Sequence, residues 1–242
     1  MSTLTRIIVT SIIGVLMLSC NFSMNLGEGL DGNRNVVTID RELSSDFSEV
    51  KVSQGLDLYI TQSDAVALSV EADENLHDLI VARVENDVLE IYTTENIRRA
   101  ASRKILLNIK NISFIKATSG SDVYATNTIE ANKLALSTTS GADMELSVNT
   151  KQLDCKATSG SDLKLSGKTI VLNASATSGS DIDARGLRAE KADVKATSGA
   201  DISVNTSKEL TAKATSGGDV RYSGNPQTVN KSDNSSGSVR KQ

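Results

Sequence analysis

The segment LDCKATSGSDLKL, residues 153–165, contains the phrase that decides the fold of this chain. Thr-Ser-Gly, one small residue, Asp and one apolar residue follow one another here, and the same order occurs six times. The six glycines stand 21, 19, 19, 20 and 18 residues apart: Gly120, Gly141, Gly160, Gly179, Gly199 and Gly217. A period this regular is typical of a solenoid whose turns stack on one another.

Apolar and polar positions alternate on both sides of each glycine. Ahead of Gly160 the inward-type residues are Cys155 and Ala157, and after it they are Leu163 and Leu165. A period of two predicts a strand with one inward face on each side of a bend at Ser-Gly. The sequence therefore predicts an all-β fold, a single-stranded parallel β-helix, right-handed, with turns of about 19 residues.

Composition and spacing divide the chain into a leader, a tether, a body and a tail. Residues 1–19 read as a lipoprotein signal peptide and residues 20–35 as a polar tether. The β-helix is expected over 36–224, with irregular turns and a cap at 36–112 and six regular repeats at 113–224. Residues 225–242 are polar and are expected to form a C-terminal tail or a last edge segment.

Part of the irregular region carries its own local signal. Leu79 to Val84 and Val88 to Tyr92 are two β-type runs, separated only by Glu85-Asn86-Asp87. Asn and Asp favour tight turns, so these runs predict a hairpin or a turn between neighbouring coils.

The N-terminus has the features of an export signal. After Arg6, an apolar run of 12 residues, Ile7 to Leu18, is too short to span a bilayer comfortably. Leu16-Met17-Leu18-Ser19-Cys20 resembles a bacterial lipobox, although Met17 and Leu18 replace the commoner Leu and smaller residue. We predict that lipid is attached at Cys20 and anchors the protein in the envelope, most simply at the outer membrane. An ordinary secretory signal and a retained anchor are the alternatives.

The composition indicates how thick the core can be and which partners the charge favours. Aromatic residues make up 3% of the chain, Trp is absent and Pro occurs once, which fits a thin core of small side chains. The net charge of −4 and the lack of a basic run give no electrostatic footprint for nucleic acid. With Cys20 lipidated, Cys155 is expected to be a small buried hydrophobe, and no disulfide or cofactor is predicted.

Two residues after each glycine stands an acid, and stacking would bring the six carboxylates into one column: Asp122, Asp143, Asp162, Asp181, Asp201 and Asp219. In water each neighbouring pair would cost on the order of 1 kcal/mol. One interpretation is structural, with each Asp accepting hydrogen bonds from its own bend, while column lysines such as Lys116 and Lys156 lie near. The alternative is a cation ladder, since Ca²⁺ prefers hard oxygen ligands.

Other candidate sites are weaker. The threonines before the bends form a second polar column, which fits either outward β-propensity or a flat face for an ordered ligand. His77 is the only histidine, so no His-based metal cluster is possible, and no nucleophile-elbow motif accompanies the serines. The sequence thus predicts no catalytic residue.

Three segments carry a resemblance to a known family. They are Phe47 to Val52 followed by Gly55 to Ile60, then Val88 to Ile91, and the recurrent Ser-Gly-Ser-Asp phrases. Together they resemble the head-GIN-domain family of bacterial exported proteins, over nearly all of the mature chain. The resemblance implies a β-helix, a lipoprotein of Bacteroidetes-type bacteria and an auto-transporter adhesin, a class name that itself rests on fold analogy. It brings no catalytic motif.

Three functions follow as hypotheses. The first is a non-enzymatic envelope lipoprotein whose β-helix presents an adhesive or binding face to an envelope, glycan or protein ligand. The second is a periplasm-facing structural or envelope-stress accessory protein. The third is a glycan-acting enzyme, because some polysaccharide-cleaving enzymes are β-helices, although fold alone does not supply that activity.

Overall fold

Most of the chain is β-strand, and buried and exposed residues alternate along the strands. The computed structural model describes residues 29–43, 46–233 and 236–242, and about 70% of the chain is strand. In the segment 143–158, Met144, Leu146 and Val148 are buried, whereas Asp143 and Glu145 face solvent. The predicted signal peptide and Cys20 lie outside the described residues.

The strands follow one another in chain order, with one short 3₁₀ turn at Glu74–Leu76 among the described residues. The strands before the regular repeats are β1 Leu30–Asp31, β2 Val36–Arg41, β3 Glu49–Val52, β4 Asp57–Gln62, β5 Ala67–Asp73, β6 Ile80–Glu85, β7 Val88–Thr93, β8 Ile97–Arg99 and β9 Arg103–Ile109. The strands from the first repeat onward are β10 Phe114–Thr118, β11 Asp122–Ala125, β12 Ile129–Thr139, β13 Asp143–Thr158, β14 Asp162–Thr177, β15 Asp181–Thr197, β16 Asp201–Thr215, β17 Asp219–Ser223, β18 Thr228–Asp233 and β19 Ser238–Lys241.

Parallel pairing at one repeat's distance makes the fold a solenoid. Strands β12 to β16 pair consecutively and in parallel, so that Cys155 lies beside Ala174 and Ala174 beside Val194. About seven turns stack in this way with a spacing of about 19 residues. The predicted all-β, parallel solenoid is confirmed, and its handedness stays a prediction.

Each regular turn has two long inward-facing segments. Along β13 every second residue is buried from Met144 to Thr150, and then Lys151 and Gln152 both face outward before Leu153 turns in again. Two successive residues cannot both point to the same side of a straight strand, so the chain turns a corner at Lys151 and Gln152. The Ser-Gly bend forms the other sharp corner of the turn.

The irregular region supplies the first turn and a cap. β3 and β4 pair in parallel with β10 and β11, so they continue the solenoid by one turn. Beyond them the pairing becomes partly antiparallel, through β2–β5, β5–β9 and β6–β7. β7 and β9 pair in parallel with the open edges of β3 and β4, and the antiparallel strands β6 and β5 then cover β7 and β9, as a solenoid end requires. β6 and β7 form the expected hairpin, with Asn86 and Asp87 at φ 50° and 68°.

The segment before β2 differs from the predicted tether over residues 29–35. Leu30 and Asp31 pair with Ile97 and Arg99, and the buried carboxylate of Asp73 accepts a hydrogen bond of 2.8 Å from the Arg34 N–H. These polar residues looked like a tether in the sequence because their partners, among them Asp73, Asn75 and Arg98, lie about 40 or more positions farther along the chain.

Of the two expected forms of the C-terminal segment, the structure has the last edge segment, as a partial turn, and not the tail. β18 pairs in parallel with β16, and β19 pairs in parallel with β17. Val239 is buried, while the residues of β18 all face solvent. Because a final turn has only one neighbour, it needs few apolar residues, and its sequence therefore reads as polar.

Candidate functional site

The Ser-Gly bend positions everything around it. Ser159 and Gly160 are both in the left-handed region, with φ of 59° and 65°, and the Gly160 N–H donates to the Ser178 carbonyl of the next turn at 3.1 Å. A Cβ on Gly160 would meet nothing within 4 Å. Glycine is therefore favoured here by backbone conformation and not by lack of space.

The same bend recurs at all six repeats. The glycines have φ between 65° and 79°: Gly120, Gly141, Gly160, Gly179, Gly199 and Gly217. Gln54 and Gly55 adopt it once more, with φ of 63° and 72°, and the Gly55 N–H donates to the Ser119 carbonyl at 3.1 Å. A seventh bend thus precedes the six that the phrase identifies.

The small residue after the glycine points into the core and closes the bend. The buried Ser161 hydroxyl donates to the Thr158 carbonyl at 2.9 Å and accepts from the Thr158 N–H at 3.1 Å. Ser121 and Ser180 do the same, whereas Ala142 fills this position without a hydroxyl. The hydrogen bonds that we expected from the aspartates are therefore made by these serines.

The aspartates lie in register on the outward side of the strand that follows the bend. All neighbours along the column pair directly with one another, and Asp57 extends it to seven: Asp57, Asp122, Asp143, Asp162, Asp181, Asp201 and Asp219. We call this column the aspartate ladder. Asp57 is not apparent from the sequence because Gln54-Gly55-Leu56 replaces the usual Ser-Gly-small triplet, although Gly55, Asp57 and Leu58 keep the spacing.

Crowding and partial burial raise the pKa of several ladder carboxyls. Burial, followed by the charges of Asp143 and Asp57, raises the pKa of Asp122 above its ordinary value. Burial and the flanking Asp143 and Asp181 likewise raise the pKa of Asp162. The ladder therefore holds unrelieved negative charge along the middle of the solenoid.

The two ends of the ladder meet compensating groups. Arg221 approaches Asp201 at 3.2 Å and Asp219 at 3.7 Å, and Ser238 donates to Asp219 at 2.5 Å. At the other end, Asp57 lies in register with Lys104. Burial raises the pKa of Asp57, while Arg103 and Lys104 oppose that shift. The uncompensated part of the ladder thus runs from Asp122 to Asp181.

The ladder does not gather its ligands around a point. Among residues 29–43, 46–233 and 236–242, no three His, Cys, Asp or Glu side chains are arranged to hold a metal ion. A row of carboxylates one strand apart presents one ligand per turn, whereas Ca²⁺ sites collect six to eight oxygens. Cation binding along the ladder stays a prediction.

A second outward column lies beside the ladder and begins with an aromatic pair. The rings of Tyr59 and Tyr124 stack with centroids 5.1 Å apart, and Leu106, 40% exposed, lies in register with Tyr59. Farther along, Lys164 pairs with Glu145 at 2.8 Å. The aromatic and exposed apolar side chains of this column therefore lie at the capped end of the solenoid.

The strand that precedes each Ser-Gly bend carries two further columns, one that contains the lysines and one of threonines. The threonines Thr118, Thr139, Thr158, Thr177, Thr197 and Thr215 lie in register and half-buried. The lysine column continues from Lys51 to Lys116 and later through Lys195 to Lys213. In the described chain, none of Lys116, Lys156, Lys195 and Lys213 forms an ion pair with a carboxylate, so the lysines do not relieve the ladder.

The remaining sequence candidates are structural. His77 is buried, with Nε2 3.1 Å from the Val37 carbonyl oxygen and 3.2 Å from that of Ala72. Cys155 is a free, buried thiol whose pKa is raised by burial and by Asp154, as expected for a core residue. Across the part of the chain that the structure describes, no helix has the length and apolar character needed to cross a bilayer.

These features define a β-solenoid with in-register polar columns on its outer faces, a class of scaffold suited to extended binding surfaces. The family model described as "Putative auto-transporter adhesin, head GIN domain" matches residues 46–226, and the chain belongs to this family. No curated protein matches the chain.

Solved structures share the architecture at low sequence identity. A "putative adhesin" from Bacteroides fragilis has a TM-score of 0.82 and 20% identity, covering 88% of this chain and 100% of that one. A "putative lipid binding protein" from Parabacteroides distasonis has a TM-score of 0.72 and 24% identity over 89% of this chain and 100% of that one. A "putative adhesin" from Parabacteroides merdae has a TM-score of 0.71 and 20% identity, with the same coverage of both chains. At these identities the likeness supports the fold alone.

Proposed function

We propose that this protein is a non-enzymatic lipoprotein of the cell envelope that binds a partner through an outer face of its solenoid, as an adhesin or binding scaffold. The observation that carries the proposal is the length of the in-register polar columns, which continue over about seven turns. A surface that repeats with the strand spacing suits extended ligands better than one small molecule. Membership of an adhesin-type family supports the same role.

Anchoring is the second part of the proposal. Lipid on Cys20 would hold the solenoid at the outer membrane, and stable anchoring requires more than one acyl chain, as bacterial lipoproteins carry. We expect the Cys20→Ala variant to leave the membrane fraction while its solenoid stays folded. Equal membrane retention of the variant and the wild-type protein would contradict lipid anchoring.

The binding role is tested in cells. A deletion strain is complemented with the wild-type gene or with the Cys20→Ala variant, and adhesion, aggregation and envelope integrity are measured. We expect the wild-type gene alone to restore the lost property. Unchanged adhesion, aggregation and envelope integrity after deletion would count against both adhesive and scaffold roles.

Sidedness separates the adhesin from a periplasm-facing accessory protein. The residues after Cys20, Asn21-Phe22-Ser23-Met24-Asn25, contain no acidic cluster that would indicate surface display, so the second role stays a candidate. Lys156, Lys195 and Lys213 are exposed and suit a membrane-impermeant amine reagent. Labelling of intact cells supports the adhesin, and labelling only after the outer membrane is opened supports the accessory protein.

A further inference from the structure

A polar cleft follows the second corner of the solenoid, away from the aspartate ladder. It has a volume of about 750 Å³, and its lining comes from successive turns, with Asn149, Lys151, Lys168, Ile170 and Arg188 among its residues. Lys168 lies in register between Asn149 and Arg188. The cleft therefore runs along the solenoid axis, across the strands.

The cleft carries uncompensated positive charge in a chain of net charge −4. Of its two acids, Glu190 forms an ion pair with Lys208, and Glu130 accepts a hydrogen bond of 3.3 Å from the neutral Asn149 amide, so three lining cations face one carboxylate without an ion pair. Among the described residues, no carboxylate forms an ion pair with Lys151, Lys168 or Arg188. Two like charges directly opposite in a sheet repel, so an anion between Lys168 and Arg188 would be favoured.

The other groups of the cleft suit a sugar chain. Ile170 is 45% exposed and offers an apolar surface to the C–H face of a sugar ring, while the Asn149 and Asn132 amides can donate to hydroxyls. One strand spacing is comparable to the length of one sugar unit, so successive units can meet successive turns. The lining contains no aromatic residue on which a nucleic-acid base could stack.

We propose that this cleft binds a linear acidic polysaccharide, with uronate carboxylates of neighbouring sugar units lying against Lys168 and Arg188. The inference rests on the proposed binding function and names its ligand class. Lys168 and Arg188 line the same cleft, whose concave walls strengthen the field of these cations. The guanidinium of Arg188 can hold a carboxylate through two parallel hydrogen bonds.

The test uses the purified full-length protein in detergent, titrated calorimetrically with polygalacturonate oligosaccharides. The same oligosaccharides after methyl esterification keep the sugar backbone and lose the charge. We expect binding to the acid form and binding at least about tenfold weaker to the ester. Comparable binding of both forms, or of neither, would overturn the proposal.

A charge-matched pair of variants locates the site. Lys168→Glu with Arg188→Glu changes the cleft, and Lys195→Glu with Lys213→Glu makes the same charge change at two neighbouring turns of the lysine column. We expect the cleft variant to bind about tenfold more weakly and the control to bind within about twofold of wild type, both with unchanged melting temperatures. Equal weakening in the two variants would show unspecific charge attraction and reject the cleft.

A last experiment measures binding of the protein to vesicles that contain anionic phospholipid. Cleft-dependent binding to these vesicles without binding to polygalacturonate would assign the cations to a membrane surface and overturn the polysaccharide. Failure of every arm while the deletion strain still loses adhesion would reject only the cleft proposal. Polysaccharide binding in a strain that loses no cell-surface property would reject only the adhesin role.

Discussion

Single residues of the aspartate ladder show how the solenoid tolerates repeated charge. Asp162 stands between Asp143 and Asp181, while Asp201 lies 3.2 Å from Arg221. The same residue type at the same place in the phrase is therefore unfavourable in one turn and paired in another. The neighbouring outward column decides which case applies, and its residues do not repeat.

We predict that Asp162→Asn stabilises the protein at neutral pH. The substitution removes charge repulsion and keeps the shape, and because solvent screens the exposed carboxylate, the gain should be about 0.5–1 kcal/mol, or a rise in Tm of about 1–3 °C. Asp201→Asn, which breaks the pair with Arg221, should give no gain. A stability loss in Asp162→Asn comparable to that of Asp201→Asn would contradict the repulsion argument.

The pH dependence of this gain has a defined sign. Burial and the neighbouring acids raise the pKa of Asp162, so the folded state binds its proton more tightly than the unfolded state. The destabilisation is complete above the raised pKa and disappears as the pH falls below the unfolded value. Thermal melts of Asp162→Asn and wild type should therefore converge on acidification from pH 7, and they should also converge in high salt.

Asp73 behaves in the opposite way. Burial disfavours its charge, but the N–H groups of Arg34, Ser102 and Ala101 outweigh burial and hold its pKa below the ordinary value. Its stabilisation is therefore present above the unfolded pKa and is lost as the pH falls through the lower folded pKa. Asp73→Ala leaves buried donors unpaired and should cost at least about 2 kcal/mol near pH 7, measured by urea unfolding. A neutral result would mean that water replaces the carboxylate.

At the scale of the element, the bend uses small residues for two separate reasons. Gly160 is needed for its positive φ in open space, whereas Gly218 is needed for space, because a Cβ there would lie 2.6 Å from the Ala196 carbonyl carbon. Sequence alone shows both as small residues in one phrase. Only the structure separates the two needs, because a Cβ added to Gly160 would enter open space and a Cβ added to Gly218 would enter the neighbouring backbone.

Gly160→Ala should therefore cost about 1 kcal/mol, a loss in Tm of about 2–4 °C, from strain alone. Gly160→Asn should cost less, since Asn adopts the left-handed conformation more readily than Ala. Thermal unfolding followed by circular dichroism checks both variants. An Asn variant as unstable as the Ala variant would show that the bend excludes any side chain and would refute a purely conformational account.

The sequence predicted the six regular repeats but not the structure at the two ends of the solenoid. Six copies of the phrase were sufficient for the bend, the register and the ladder from Asp122 to Asp219. The bend at Gln54-Gly55 was not apparent because Leu56 occupies the small inward position. The C-terminal segment stayed undecided between a tail and a last edge segment because the residues of β18 all face solvent. The cleft pair Lys168 and Arg188 was not apparent either, since repeats of 18 to 21 residues shift the alignment outside the phrase.

At the scale of the whole molecule, stability is spread along one axis. Each turn contacts mainly the turns before and after it, as the consecutive pairing of β12 to β16 shows. The free energy of unfolding of such a solenoid is close to a sum of turn and interface terms. Length should therefore be adjustable in whole turns, provided that the bends and inward residues stay in register.

We predict that deleting residues 142–179 leaves a shorter, folded solenoid. The deletion joins Gly141 to Ser180 and restores the phrase, so two turns are lost without changing which residues face inward. Small-angle scattering should show a particle about 10 Å shorter, with the strand signal in circular dichroism retained. Deleting 142–169 instead removes about one and a half turns and joins Gly141 to Ile170, which places residues on the wrong side of the sheet. That control should aggregate or melt much earlier, and equal stability of the two deletions would mean that register does not govern the fold.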